Sequence, residues 1–127
     1  MSNVVYIVLL FVCILTNAGG GILMKMGSKN VAFGQGESIV KTGLTMITNW
    51  QLIVGIVFYG LSFIFSTLVY TKISLNIAYP IAVGSSFLLI SIASVLFFSE
   101  KFTPIQIFGS ILLITGIIMI ASNLKRA

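Results

Sequence analysis

The sequence predicts an all-α integral membrane protein of four transmembrane helices, and three observations carry that prediction. Of the 127 residues, 58% are hydrophobic and only 7% are charged, whereas soluble domains carry about 25% charged residues. The mean hydropathy is +1.18, more apolar surface than a soluble domain of this length can hide. The apolar residues also fall into four long runs, 4–26, 52–70, 77–98 and 105–122. Each is near or above the ~18 to 20 residues that cross ~30 Å of hydrocarbon at 1.5 Å per residue. Together they form one transmembrane domain, 1–127.

The first run opens the chain and is read as a retained helix rather than a cleaved signal peptide. No Lys or Arg precedes Lys25, and the apolar part is longer than the usual signal core. This run contains the segment LTNAGGGILMKMGS, with an asparagine and three consecutive glycines at membrane depth. An amide in hydrocarbon must find hydrogen-bond partners, because leaving it unsatisfied costs several kcal/mol. Asn17 therefore faces protein or a wet cavity. Cys13, Asn17, Gly20, Gly21 and Met24 share one helical face. That stripe serves either close helix packing, with the amide as interhelical glue, or the wall of a substrate cavity.

A long connection, Gly27 to Trp50, follows the first run. Its second half, SIVKTGLTMITNW, spaces Ile39, Val40, Leu44, Met46 and Ile47 in helical fashion. Two readings stand side by side. One is a short amphipathic helix in the headgroup region with Trp50 as an anchor, and the other is an elongated loop. The second and third connections, TKISLN and FSEKFTP, are short enough to force antiparallel neighbours.

The third span opens with AYPIAVGSS. Pro80 removes a backbone hydrogen bond and Gly84 removes a side chain one turn later, which predicts a bend or hinge. Beside it stands Tyr79, either a cavity hydroxyl or an interfacial-belt tyrosine. The fourth span begins at Thr103-Pro104, an N-cap followed by proline at the first helical position. Gly109 and Gly116 lie seven residues apart on one face of it, a small-residue groove suited to helix association. Dimerisation is the first reading of that groove and packing within the monomer the second.

Several classes are excluded by what the chain lacks. The two acidic residues, Glu37 and Glu100, fall in connections, and there is no histidine. No metal site, acid-base pair or cofactor is expected, and an enzyme is not. Cys13 stands alone, so no intramolecular disulfide forms. The net charge of +5 comes from basic residues scattered singly at helix ends, the ordinary interfacial place for Lys and Arg. Nucleic acid is not the expected partner; the lipid bilayer is. Four spans place Lys72, Lys125 and Arg126 on one side and Lys25, Lys29, Lys41 and Lys101 on the other. Three against four sets no orientation by the positive-inside rule.

With these residues in view, the chain resembles a known group. The four-span layout, LMK closing the first helix, SLNIAYPIAVG opening the third and FFSEKFTPIQIFG crossing into the fourth look like the drug/metabolite transporter superfamily. The likeness is to its single-repeat members, the small multidrug resistance proteins and the subunits that flip lipid-linked sugars, and it covers nearly the whole chain except the enlarged first connection. It implies a dimer, often antiparallel, with a substrate chamber formed by the first three spans and the fourth spans holding the dimer together through Gly109 and Gly116. Counting back from LMK, Asn17 stands where drug-exporting members carry an essential glutamate. Tyr59 and Tyr79 match chamber aromatics, while Ala82 replaces an expected tryptophan.

Without the carboxylate there is neither a proton carrier nor a countercharge for a cation. SEKFTPIQ looks more like the sugar-lipid branch. The leading expectation is therefore a transporter or flippase of an amphipathic substrate, a polyprenyl-phosphate sugar or similar lipid-linked metabolite, in the cytoplasmic membrane of a prokaryote. It would act as a homodimer or with a similar four-helix partner. Candidate substrate contacts are Asn17, Tyr59, Ser62, Tyr79 and Ser85, candidate hinge residues Pro80 and Gly84, and candidate phosphate holders Lys25, Lys29 and Lys72. The alternatives are an exporter of cationic drugs or quaternary ammonium compounds, and a non-transporting assembly subunit.

Overall fold

The computed structural model describes residues 3–123; Lys125 and Arg126, counted in the charge comparison above, lie outside the described residues. Five helices follow one another: α1 Asn3–Ser28, α2 Ile39–Thr48, α3 Trp50–Tyr70, α4 Leu75–Phe98 and α5 Pro104–Ala121. Four of them, α1, α3, α4 and α5, are long and apolar enough to cross a membrane. Their ends fall within two residues of those read from the sequence. The fold is all-helical, as expected of a four-span membrane protein.

The long first connection resolves in favour of the helix. Gly34 and Gly36 take positive φ values of 80° and 85° in a turn, a conformation that glycine adopts without steric cost. Ser38 then caps α2, its side chain accepting from the Lys41 amide at 3.2 Å. Asn49 separates α2 from α3. Its carbonyl oxygen Oδ1 accepts from the Gln51 amide at 3.0 Å, while its Nδ2 donates to the Gly27 carbonyl at 2.9 Å. One side chain thus starts α3 and ties that start to the end of α1.

Helix α1 is the hub, packed on α3 along most of its length and on α4 beside it. The glycine run explains how. A Cβ on Gly20 would come within 3.1 Å of the Gly55 carbonyl oxygen, and one on Gly55 within 3.3 Å of the Gly20 oxygen. Backbone therefore meets backbone, the close approach that small residues permit in membranes. Gly21 faces the other way, where a Cβ would meet Ile90 of α4 at 2.7 Å. Polar links sit between these contacts. Ser62 Oγ donates to the Cys13 carbonyl at 3.3 Å, and Ser86 Oγ, which donates to the Ala82 carbonyl of its own helix at 2.7 Å, also lies 3.3 Å from the Ile14 carbonyl. The sealed core lies towards the α1 N-terminus, where Val69 and Ala78 are fully buried among Tyr6, Leu10 and Ile81.

Helix α4 runs unbroken through Pro80. The helix continues through it because Pro80 falls in the second turn. The only carbonyl it deprives is that of Asn76, an exposed residue near the helix start. Gly84 makes room for α5: a Cβ there would lie 2.6 Å from Ile117 Cδ1. Helix α5 has the expected start, with Thr103 and Gln106 forming a reciprocal capping box and Pro104 in the first turn. It packs on α4 and buries none of its own residues. A Cβ on Gly109 or Gly116 would meet nothing within 4 Å, so packing within the monomer does not account for these two glycines.

The α1/α3 contact predicts a contrast between glycines. Gly20→Val should cost about 1–3 kcal/mol through overpacking and reduce the folded fraction on size-exclusion chromatography in mild detergent. Gly60→Ala, with nothing within 4 Å of its Cβ, should leave the profile unchanged. Equal behaviour of the two variants would remove the backbone contact as the organising feature.

Candidate functional site

A groove of about 190 Å³ opens between α1, α3 and α4, walled by Asn17, Tyr59, Ser62, Ser66, Tyr70 and Tyr79. Four of the five residues expected to contact substrate, Asn17, Tyr59, Ser62 and Tyr79, are brought together here. Ser85 is not among the lining residues. It is the neighbouring Ser86 that is buried and bonded across to α1. Ser66 and Tyr70 are additions, and their signal was present in the sequence: Ser62, Ser66 and Tyr70 recur every four residues, one face of α3.

Each wall has a distinct polar capacity. Ser62 and Ser66 commit their hydroxyl hydrogens to backbone, Ser62 to the Cys13 carbonyl at 3.3 Å and Ser66 to the Ser62 carbonyl at 2.6 Å. What they offer the groove is lone pairs. Asn17 is half-buried, and its amide makes no hydrogen bond to another described residue. The interhelical links come from Ser62 and Ser86, so the amide is available to a ligand as both donor and acceptor. Tyr79, 55% exposed, adds a phenol at the open side of the groove.

No carboxylate lines the groove, and no cluster of His, Cys, Asp or Glu able to hold a metal occurs among the described residues. Both acids are engaged outside the spans. Glu37 pairs with Lys41 at 3.0 Å one helical turn away. Glu100, between α4 and α5, pairs with Lys25 at 3.1 Å and accepts a hydrogen bond from Ser94. The Ser94 hydroxyl first and the Lys25 ammonium second hold the Glu100 carboxyl below its ordinary pKa.

The three lysines expected near a phosphate do not form one cluster. Lys25 ends α1 beside Glu100, and Lys29 lies over the Phe98 ring at 4.5 Å. Lys72 follows α3, at the opposite end of the bundle, next to Ile73 in the core around Tyr6 and Leu10. The reason is topological: antiparallel spans place the end of α1 and the end of α3 on opposite membrane faces.

Four apolar spans with a neutral polar groove among the first three are the architecture of a multi-pass membrane protein. The family model described as Small Multidrug Resistance protein matches residues 5–114, and the chain belongs to that family, one of transporters rather than enzymes. It is 34% identical over 119 residues to the uncharacterized protein y4nH of Sinorhizobium fredii, an alignment covering 94% of this chain and 97% of that one. No solved structure matches the chain significantly.

The lowered Glu100 pKa carries a pH prediction with a defined sign. A carboxyl depressed in the folded state contributes stability above its unfolded pKa, about 4.3, and loses it as pH falls through the lower folded value. The Lys25 pair should therefore be constant through neutral pH and dissolve only in acid. In a carboxyl carbon-13 titration, Ser94→Ala should move the Glu100 midpoint upward. An unmoved midpoint would show that the hydroxyl is not the leading cause.

Proposed function

We propose that this chain forms a dimeric transporter that carries an amphipathic, lipid-linked sugar, a polyprenyl-phosphate sugar or close relative, across the cytoplasmic membrane of a prokaryote. The observation that carries the reading is the convergence of Asn17, Tyr59, Ser62 and Tyr79 on one groove without a carboxylate. Sugar hydroxyls match a free amide and serine lone pairs, and tyrosine rings cover the apolar faces of a sugar. A cation in the same place would find no countercharge. The phosphate stays at headgroup level as the sugar enters. Lys25 lies eight residues beyond Asn17, ~12 Å along the helix, with Lys29 just past it, and Lys72 offers a cation at the other face.

Alternating access would use α4, whose first turns around Pro80 lack one backbone bond and whose Gly84 lets α5 slide close. The dimer would form across α5, with Gly109 and Gly116 receiving the same helix of a second copy or of a similar four-helix subunit. With no carboxylate in the groove, direction follows the substrate gradient.

A second reading, export of cationic or quaternary ammonium compounds, is favoured by the family match itself. The two readings separate in liposomes loaded with a short-chain isoprenyl-phosphate sugar. Transport should be unaffected by a pH gradient. Asn17→Leu should slow it about tenfold, the worth of a hydrogen bond to a group otherwise left unpaired, with the oligomer intact. Strong proton dependence would sink the proposal, as would wild-type binding of tetraphenylphosphonium in preference to the sugar lipid. Unchanged transport in Asn17→Leu would return the chain to an assembly role. Asn17→Glu should install cation binding that strengthens as pH rises.

A further inference from the structure

Helix α2 is turned in a way that water does not explain. Its buried residue is a threonine, Thr42, while Ile39, Val40, Leu44 and Ile47 are 83%, 73%, 58% and 69% exposed. On the helix these four occupy one side, Thr42 faces the bundle, and Lys41 and Thr45 occupy a third sector. Leaving such a stripe in water forfeits about 1.5–3 kcal/mol for each large apolar side chain. The outward face therefore requires an apolar medium.

Position supplies the identity of that medium. Asn49 is the sole residue between α2 and the spanning helix α3, and its side chain bonds bracket the joint against the Gly27 carbonyl at the end of α1. The helix is thus held at the level where two spans leave the membrane. Its 10 residues measure ~15 Å, half the hydrocarbon thickness, and cannot cross. Trp50, 65% exposed, stands at the same level, where tryptophan anchors to the interface.

We propose that α2 is an in-plane membrane helix. Its Ile39, Val40, Leu44 and Ile47 face is sunk into the headgroup and acyl boundary of the phospholipid leaflet at the α1 C-terminal end, with Lys41 and Thr45 towards water. The occupant of the face is phospholipid, because the helix is continuous with two spans already in that phase. Met46 and Ile47 also line an apolar groove of about 460 Å³ with Met24, Ile53, Ile56 and Tyr59. Tyr59 belongs to the polar groove as well, so the interface helix stands beside the lipid-side approach to the chamber.

The test uses the full chain in phosphatidylcholine and phosphatidylglycerol vesicles. In a Trp50→Phe background, Val40→Trp and Thr45→Trp each place a single fluorophore on one of the two faces. Lipid brominated near the glycerol end of its chains should quench Val40→Trp roughly twofold or more and leave it shielded from aqueous iodide. Thr45→Trp should show the reverse. Should Val40→Trp fail to fold, Leu44→Trp reports on the same face. Iodide quenching of the Val40 or Leu44 probe would overturn the proposal. Lipid quenching that grows as the protein is diluted in the bilayer would assign the face to a second copy and overturn it too.

Discussion

The structure depends on how closely α1 and α3 approach. In hydrocarbon there is no hydrophobic gain from joining two apolar helices, so association rests on packing and hydrogen bonds. At Gly20 and Gly55 each backbone is the other's nearest neighbour, and any larger residue would push the helices apart. The hydroxyls of Ser62 and Ser86 reach the Cys13 and Ile14 carbonyls of α1 only at that separation. Each bond is modest by itself, about 1 kcal/mol or less between membrane helices. Their joint effect is to fix α3 and α4 on α1 at one depth, the depth at which the groove opens just beyond Asn17.

This arrangement divides labour between residues that had looked alike in the sequence. Asparagine, serine and glycine at depth all read as either glue or cavity wall. The geometry assigns gluing to glycines and two serines and leaves Asn17 unpaired towards the groove. The same logic separates the fourth span from the others. Helix α5 contributes no residue to the groove, buries none of its own, and has open space where a Cβ on Gly109 or Gly116 would lie.

Much of the fold was legible because membrane spans announce themselves by length and hydropathy, signals that need no tertiary information. The ends of α1, α3, α4 and α5 were fixed by charges, by Thr103-Pro104 and by short polar turns. The groove was legible where period and polarity coincided, at Asn17, Tyr59, Ser62 and Tyr79. It was not legible at Ser85, because adjacent serines on a helix point a third of a turn apart and only a neighbouring helix decides which one it meets. At Pro80 the sequence cannot tell a continuing helix from a broken one, because the cost of proline depends on its distance from the helix start. Helix α2 was ambiguous since ten residues of helical spacing describe an exposed loop as well as an interfacial helix until the bundle shows which side it buries.

The position of Asn17 gives this scaffold a particular freedom. None of the hydrogen bonds found between α1 and α3 or α4 among the described residues involves its side chain; they link Ser62 and Ser86 to Cys13 and Ile14. A residue that lines the groove without holding it together can change its chemistry with little effect on the fold. A carboxylate there would cost desolvation energy in the absence of a cation and would titrate with its surroundings. An amide has no charge to desolvate and no such switch. The scaffold therefore leaves the charge of this part of the groove wall to one side chain, in a groove built by its neighbours.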